Sequence, residues 1–187
     1  NLENRFTGWV DVPLSPKGEA EARTAGEKLR GRRIDTLYTS VLERAIETAR
    51  LALEAAGAGD LPTVRDAALN ERMYGDLQGL DKAEAAKRFG TEQVKIWRRS
   101  YDVRPPGGES LADTAARVLP YWTAHLLPAL RAGKNLLVAA HGNSLRALVM
   151  HLDGLTREQV IALEIPTGQP LLYEIAADGS VTAKRYL

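Results

Sequence analysis

The sequence predicts an α/β fold, a three-layer αβα sandwich in which helices cover both faces of a mostly parallel central sheet. Helical and strand-like stretches alternate along most of the 187 residues, as in proteins of this class. The apolar run 136–140 is typical of a strand buried on both faces. Near the end, stretches 171–176 and 181–187 flank an Asp-Gly turn and predict an antiparallel strand at the C-terminal edge. A chain of this length is expected to form one domain, residues 1–187.

Two local signals locate helices in the first half of the chain. Ser15 followed by Pro16 has the pattern of an N-cap residue and a first helical residue. Ser40 is expected to cap a second helix, because an apolar stripe at helical spacing follows it. In order, this half is predicted to contain helix 16–31, strand 34–39, helix 41–53, strand 63–69, helix 82–88 and, capped by Thr91, helix 92–100.

Prolines interrupt the helical pattern of the second half. A long helix is expected over residues 110–131, with a kink or break at Pro120 and Pro128, where proline removes a helical hydrogen bond. The rest of this half is predicted to contain strand 136–140, a helix after residue 141, a short helix to residue 163 capped by Thr156, and the two C-terminal strands.

A histidine follows the apolar strand 136–140. His141 begins a polar turn, and Asn143 or Ser144 is expected to cap the helix that comes next. Ligands of open α/β sheets bind at the carboxyl ends of the strands. The free N–H groups of a helix N-terminus at that edge favour an anion, phosphate above all. The alternative is that His141 only completes a turn.

Composition argues against several kinds of partner. The formal net charge is +1, without the basic excess that a nucleic-acid-binding protein usually carries. The chain has no cysteine, so it has no disulfide and no cysteine metal site. No apolar run approaches the roughly 18 residues that cross a membrane. We therefore expect a soluble protein that binds neither nucleic acid nor membrane.

Eight polar side chains at predicted strand ends and in loops indicate an anion site. Arg44 lies in the first turn of its helix, where a cation suits the helix dipole only if it faces an anion; a solvated surface arginine is the alternative. The chain shows no carboxylate pair for glycoside hydrolysis, no metal-ligand cluster and no P-loop. There remain several cations with one acid and one imidazole, in the set Arg44, Glu71, Tyr74, Lys82, Arg98, Arg99, His141 and Asn143.

Eight segments along nearly the whole chain carry a family resemblance. They are Asn-Arg-Phe-Thr-Gly-Trp (4–9), Tyr-Thr-Ser-Val-Leu-Glu-Arg-Ala (38–45), Leu-Asn-Glu-Arg-Met-Tyr-Gly (69–75), Gln-Gly-Leu-Asp-Lys (78–82), Ile-Trp-Arg-Arg (96–99), Gly-Glu-Ser-Leu (108–111), Ala-Ala-His-Gly-Asn-Ser-Leu-Arg-Ala (139–147) and Ile-Pro-Thr-Gly (165–168). In this order they resemble the 2,3-bisphosphoglycerate-dependent phosphoglycerate mutases of the histidine phosphatase superfamily, in a short bacterial form.

The resemblance implies interconversion of 3-phosphoglycerate and 2-phosphoglycerate in glycolysis and gluconeogenesis. The implied route is a phosphohistidine intermediate primed by 2,3-bisphosphoglycerate, without a metal. Glu71 is implied as the acid–base group for the substrate hydroxyl, His141 as the histidine that stabilises the phosphoryl group, and Arg44 as part of the phosphate pocket. The implied substrate-binding residues are Asn1, Thr7, Gly8, Arg44, Glu71, Arg72, Met73, Tyr74, Lys82, Arg98, Arg99, Gly142 and Asn143.

The family's nucleophilic histidine belongs to an Arg-His-Gly motif that is expected just before Asn1, on a strand near the middle of the sheet. None of His125, His141 and His151 matches it, so residues 1–187 are expected to lack this strand and to form no phosphohistidine alone. The resemblance further implies a cytoplasmic homodimer or homotetramer that acts on small phosphoglycerates. Two alternatives stay open: a broad phosphatase of the same superfamily, and a non-catalytic phosphoglycerate-binding relative.

Overall fold

The computed structural model describes residues 3–187, so the predicted substrate contact of Asn1 lies outside the described residues. The α-helices are α1 (Pro16–Leu29), α2 (Glu43–Ala55), α3 (Lys82–Phe89), α4 (Thr91–Arg99), α5 (Leu111–Tyr121), α6 (Leu127–Arg131), α7 (Gly142–Asp153) and α8 (Arg157–Ala162). The strands are β1 (Thr36–Thr39), β2 (Thr63–Arg65), β3 (Leu136–Ala139), β4 (Leu171–Ile175) and β5 (Val181–Tyr186). Short 3-10 helices span Ala67–Leu69 and Gly75–Leu77.

The strands form one parallel sheet and one antiparallel hairpin. The parallel sheet has the order β2–β1–β3, and β4 pairs with β5. β1 and β3 run in register from Thr36 opposite Leu136 to Thr39 opposite Ala139, so both strands end at the same edge. Within residues 3–187, no ladder of hydrogen bonds joins the sheet to the hairpin. The predicted parallel sheet and C-terminal antiparallel strand are both confirmed. Over residues 3–187 they form two separate sheets.

Neighbouring side chains of β1 face two different helical layers. Tyr38 lies in a buried cluster with Val118 of α5 and Leu148 of α7. Leu37, the preceding residue, lies in a second cluster with Ala49 of α2. Because successive side chains of a strand point to opposite faces, helices cover both faces of the sheet. The three-layer prediction is therefore confirmed.

The predicted helix caps are only partly right. At Ser15 and Thr156 they are confirmed, because each hydroxyl accepts a backbone N–H in the first turn of its helix. At Ser40 and Thr91 they are wrong. Helix α2 begins only at Glu43, and α4 already includes Thr91. Ser40 therefore lies outside α2.

The long helix predicted over residues 110–131 is divided, as expected from its prolines. Pro120 lies near the end of α5, and a π-helical turn, Trp122–Leu126, leads into α6, which carries Pro128 in its first turn. A missing N–H and a ring clash explain why the regular bonding changes here. No helix within residues 3–187 is long and apolar enough to cross a membrane.

A small separate core holds the N-terminal loop against α3 and α4. Phe6 is buried there with Leu77, Val94 and Trp97. The backbone N–H of Phe6 also donates to the carbonyl of Leu80 at 3.0 Å. This core brings the N-terminal loop and the basic end of α4 to the same side of the molecule.

Candidate active site

The candidate site forms where β1 and β3 end side by side. Ser40 follows β1 and His141 comes shortly after β3, and the parallel register places the two residues next to each other. Ser40 Oγ and His141 Nε2 are 2.7 Å apart, and Ser40 is fully buried. The hydroxyl that was expected to cap α2 therefore belongs to the surroundings of the predicted histidine.

His141 is itself the N-cap residue of α7, so the predicted caps by Asn143 or Ser144 are wrong. Its backbone N–H donates to Ser144 Oγ at 3.1 Å, and only 8% of the residue is exposed. Burial, and then the positive charges of Arg44 and Arg117, lower the pKa of His141 to about 3. The imidazole is therefore neutral near pH 7 and can serve as an uncharged hydrogen-bonding group.

The Glu71 carboxylate meets the N-terminus of α7. Its Oε1 accepts hydrogen bonds from the backbone N–H of Asn143 at 3.1 Å and of the residue after Glu71 at 2.7 Å. A Cβ added to Gly142 would lie 3.8 Å from Glu71 Oε2 and 3.3 Å from an Arg146 Nη1 atom, so glycine lets these groups converge. The proposed acid–base group and His141 thus lie at one helix N-terminus, where negative charge is favoured.

The Asn143 side chain is fixed on both of its atoms. Its Nδ2 donates to the Tyr74 hydroxyl at 3.3 Å, and its Oδ1 accepts from Arg146 Nη1 at 3.1 Å. Arg146 Nε donates in turn to the Leu163 carbonyl at 3.0 Å. Burial, and then the charge of Glu71, raise the pKa of Tyr74, so its hydroxyl stays protonated. Asn143 and Tyr74 were both predicted, and they lie in one network.

Arg44 reaches the site from α2 and is anchored by the N-terminal loop. Its two Nη atoms donate to the carbonyls of Gly8 at 2.7 Å and Val10 at 3.1 Å. Gly8 has a φ of +53°, in the left-handed region that favours glycine, and the Thr7 carbonyl in the same turn accepts from the Val10 N–H. Burial lowers the pKa of Arg44, and the Glu71 charge opposes this effect. Arg44 therefore faces the site and is not a solvated surface residue.

Three cations lie close to one another near the N-terminal loop. They are Lys82, Arg98 and Arg99, hereafter the cation cluster. The Lys82 and Arg98 charges are 5.8 Å and 5.9 Å from the centre of the Phe6 ring. Burial, and then repulsion by Arg98 and Arg99, lower the pKa of Lys82. Cations held this close to each other favour an anion between them. The structure thus brings together three cations that were predicted from two separate segments.

A polar cleft of about 180 Å³ connects Arg98 and Arg99 of the cation cluster with the start of α7. It is lined by basic and hydrogen-bonding groups together with one acid, among them Arg72, Arg98, Arg99, Asn143, Arg146 and Glu164. Ser100 also lines it, and the hydroxyl of this residue is buried without a hydrogen-bond partner among the residues that the structure describes. The cleft therefore offers positive charge and hydrogen-bond donors to a small anion.

Arg72 and Met73 mainly hold the loop that carries Glu71. Arg72 is only 1% exposed and donates to the carbonyls of Glu109 at 2.6 Å and Trp97 at 2.5 Å. The backbone N–H of Met73 donates to Glu109 Oε1 at 2.9 Å. Arg72 still contributes to the wall of the cleft, while the described bonds of Met73 are made by its backbone.

Four residues near the site were missed by sequence reasoning. Arg146 lies three positions after the predicted Asn143, and helical spacing was a signal that could have found it. Ser40 lies inside a recognised motif but was interpreted as a helix cap. Glu109 also lies inside a recognised motif but was given no role, whereas Arg117 gave no signal, because it contacts Glu71 across 46 residues of chain. Such contacts depend on how α5 is placed against the sheet.

Close relatives share the whole length of this chain. A protein of Mesorhizobium japonicum named 2,3-bisphosphoglycerate-dependent phosphoglycerate mutase is 56% identical over 100% of this chain and 92% of its own length. A protein of a Methylobacterium species with the same name is 59% identical over 100% of this chain and 91% of its own length. Sequence similarity at this level extends over every segment that forms the site.

Solved structures share the fold. Bacillus stearothermophilus YhfR matches with a TM-score of 0.84 and 25% identity over 97% of this chain and 87% of that chain. A mycobacterial glucosyl-3-phosphoglycerate phosphatase in complex with VO3 matches with a TM-score of 0.81 and 28% identity, over 100% of this chain and 90% of that chain. The family model described as histidine phosphatase superfamily, branch 1, matches residues 1–185. The chain therefore belongs to branch 1 of the histidine phosphatase superfamily.

Proposed function

We propose that this protein interconverts 3-phosphoglycerate and 2-phosphoglycerate by phosphoryl transfer. The observation that carries the proposal is the meeting of Glu71, His141 and Asn143 at the start of α7, beside the cation cluster. Phosphoryl transfer depends mainly on positioning and on stabilising charge, and this arrangement provides both. The mutase name of relatives that are 56% and 59% identical over the full chain supports the same substrates.

Glu71 is the proposed acceptor of the substrate hydroxyl proton. The hydroxyl oxygen attacks the phosphorus carried by the histidine of the expected Arg-His-Gly motif. An O–P bond forms, the N–P bond breaks, and its electron pair returns to the imidazole. The hydroxyl proton moves to Glu71, whose Oε1 already accepts two backbone N–H groups, which leaves Oε2 for the proton. The phosphoryl group on the other substrate oxygen then moves to the same histidine, and Glu71 returns the proton to the oxygen that this group leaves. This second transfer completes the isomerisation.

His141 and Arg44 are proposed to hold the oxygens of the transferred phosphoryl group. The neutral imidazole provides a directed hydrogen bond, and Arg44 provides positive charge from α2. The N–H groups at the start of α7 add to this stabilisation, and Gly142 lets an anion approach them closely. Cations and a helix N-terminus then do here what magnesium does in kinases.

The cation cluster is proposed to bind the second anionic group of the ligand, with Tyr74 and Asn143 beside it. Thr7, Gly8, Arg72 and Met73 are proposed to shape and support this pocket. The cluster fits 2,3-bisphosphoglycerate, because an anion relieves the repulsion that, after burial, lowers the pKa of Lys82. When bound, this primer supplies the phosphoryl group. The proposed setting is the cytoplasm, with the protein as a homodimer or homotetramer.

A phosphatase activity is the second candidate function. It is favoured by the 28% identical structure of a mycobacterial phosphatase, which superposes with a TM-score of 0.81. The same pocket would act as a phosphatase if water, rather than a substrate hydroxyl, received the phosphoryl group. The difference lies in how well the cleft holds the phosphoglycerate against competition by water.

One assay separates the two activities and a third possibility, binding without turnover. The full-length protein is incubated with 3-phosphoglycerate and EDTA, with and without 2,3-bisphosphoglycerate, and both 2-phosphoglycerate and inorganic phosphate are measured. We expect 2-phosphoglycerate formation that the primer stimulates and EDTA does not inhibit. Net phosphate release would favour the phosphatase, and binding without either product would favour a non-catalytic module. A strict requirement for manganese would contradict the proposal.

The role of Glu71 has its own test. Glu71→Gln keeps the size of the side chain but removes the proton acceptor, so kcat should fall by roughly 10²- to 10⁴-fold while 3-phosphoglycerate still binds. Glu92→Gln on the exposed side of α4 is the matched control and should leave both quantities unchanged. Loss of binding with intact turnover would reverse the assigned role.

A further inference from the structure

Glu109 and Arg117 form an ion pair behind the site. Glu109 belongs to the Gly-Glu-Ser motif just before α5, and Arg117 lies on α5. Arg117 Nε donates to Glu109 Oε2 at 2.9 Å, and its Nη2 donates to Glu109 Oε1 at 3.0 Å. Each side chain is 20% exposed, so solvent screens the pair only in part. Paired bonds of this kind fix direction as well as distance. The Glu109–Arg117 pair is thus held in one geometry next to the loop that carries Glu71.

Glu109 binds the segment that carries the acid–base group. Its Oε1 accepts the backbone N–H of Met73 at 2.9 Å. Its own backbone N–H donates to the Met73 carbonyl at 2.7 Å, and its carbonyl accepts from Arg72 Nε at 2.6 Å. Three bonds from one residue therefore hold both residues that follow Glu71.

Arg117 binds the same segment from its other end. It donates to the Glu71 carbonyl at 2.8 Å and to the Ala68 carbonyl at 2.7 Å. Trp9 Nε1 donates to the same Glu71 carbonyl at 2.6 Å, and the Arg117 guanidinium lies 5.7 Å from the Trp9 ring. The backbone of Glu71 is thus held by two donors that come from different parts of the fold.

We propose that Glu109 and Arg117 are positioning residues of the active site. The pair fixes the backbone of residues 68–73 so that the Glu71 carboxylate points to the N-terminus of α7. The inference rests on the proposed function for the identity of the reaction. The positions of the backbone groups do not depend on it. Neither side chain touches the reacting atoms; each acts through Glu71.

A second ion pair at the start of α5 provides a comparison. Arg104 makes two bonds to the Asp113 carboxylate, at 2.6 Å and 2.7 Å. This pair also joins an arginine and a carboxylate and also involves one residue of α5. Its described hydrogen bonds do not include residues 68–73. Removing Arg104 therefore measures what the loss of an arginine–carboxylate pair on α5 does by itself.

The experiment compares Arg117→Met, Arg117→Lys and the control Arg104→Met in the full-length protein. Thermal melting first identifies the folded variants, and kcat and KM for 3-phosphoglycerate are then measured. A displaced catalytic group reduces turnover more than binding, so Arg117→Met should lower kcat by roughly 10²-fold and change KM by less than about three-fold. Arg104→Met should change neither quantity.

Arg117→Lys separates charge from geometry. Lysine keeps the positive charge but lacks the planar fork, so kcat should still fall. NMR titration of the His141 ring gives a readout that does not need activity. Of the charged groups near His141, Arg44 and Arg117 lower its pKa, and the Glu71 carboxylate lies on the neighbouring loop. The pKa of His141 should rise in Arg117→Met and stay low in Arg117→Lys.

Unchanged kcat in folded Arg117→Met and Arg117→Lys would overturn the inference. A raised KM with unchanged kcat would overturn it as well, since Arg117 would then bind substrate directly. If Arg117→Met does not fold, Arg117→Lys decides by the same criterion. If the unmodified protein forms no 2-phosphoglycerate, the proposed function fails. The backbone amide NMR signals of Arg72, Met73 and Asn143 then still decide the geometric claim, which fails if Arg117→Met leaves all three unchanged.

Discussion

Ser40 Oγ and His141 Nε2 lie 2.7 Å apart although 101 residues separate them in the chain. The contact exists because β1 and β3 are parallel and in register and end at the same edge. Ser40 Oγ also accepts the backbone N–H of Leu42 at 3.2 Å, so it ties the start of α2 to the start of α7. The starts of these two helices are thereby held at a fixed separation.

Ser40→Ala removes this link. It leaves His141 Nε2 and the Leu42 N–H without their partner in a buried site, so the free energy of unfolding should fall by about 1–3 kcal/mol. The exposed turn residue Ser180, whose hydroxyl bonds Asp178, is the control, and Ser180→Ala should cost less than about 0.5 kcal/mol. Urea unfolding measures both. Equal effects of the two substitutions would contradict the structural role of Ser40.

The lowered pKa of His141 predicts a pH dependence of stability. Its pKa is about 3 in the folded protein and near the ordinary 6.5 in the unfolded chain. Between these values the unfolded chain binds a proton that the folded protein does not. Stability is therefore lost as pH falls from 6.5 towards 3, by up to about 1.4 kcal/mol per pH unit from this group.

The measurement is urea unfolding at several pH values between 4.5 and 7.5. His141→Asn should remove this part of the pH slope, and the control His151→Asn, at an exposed position outside the site, should leave the contribution of His141 in place. Above pH 7 the imidazole of His141 is mostly neutral in the folded and in the unfolded protein. The contribution of this group to the pH slope should therefore vanish there. Parallel pH profiles of the unmodified protein and His141→Asn would contradict the assignment.

Arg98 and Arg99 should contribute to binding more than to turnover. Replacing either with methionine removes a charged donor from the cleft. This should weaken substrate binding by about 1.5–3 kcal/mol, so KM for 3-phosphoglycerate should rise roughly 10- to 100-fold. Arg88→Met is the control, because Arg88 lies on the Phe89 ring outside the cleft. The proposed role fails if KM stays constant while kcat falls.

Gly142→Ala should separate stability from activity. The backbone at Gly142 is not in the left-handed region, so alanine is tolerated and can stabilise the protein by about 0.4–1 kcal/mol. The new Cβ lies 3.3 Å from an Arg146 Nη1 atom and 3.8 Å from Glu71 Oε2, and it displaces the Arg146 side chain. We expect lower kcat without loss of stability. Gly59→Ala, with open space around the Cβ, should leave kcat unchanged.

Much of the fold follows from local sequence signals. Ser15 and Thr156 cap the predicted helices, and the apolar run before His141 becomes a strand of a parallel sheet. These features depend on neighbours within a few residues, so they can be derived without knowing the rest of the fold. The family motifs added the candidate site, from Arg44 on α2 to Asn143 on α7.

Local patterns misled the prediction where a side chain has a partner far away in the chain. The serine at position 40 has the form of a helix cap, yet its hydroxyl bonds a histidine of another strand end. A hydroxyl can donate to or accept from whichever polar group the fold brings near, and the sequence around it does not say which. Thr91 shows the opposite case, since it enters α4 and leaves the preceding residue, Gly90, as the cap.

The sequence by itself determined the alternation of helices and strands, the positions of Glu71 and His141 at chain turns, and the cationic character of the pocket. Only the tertiary structure decided that Glu71 meets the backbone of Asn143 and that Arg117 holds the Glu71 carbonyl. The physical reason is the range of the interactions. Helix formation and capping act over a few residues, whereas these hydrogen bonds form only after the parallel register and the placement of α5 have set the distances.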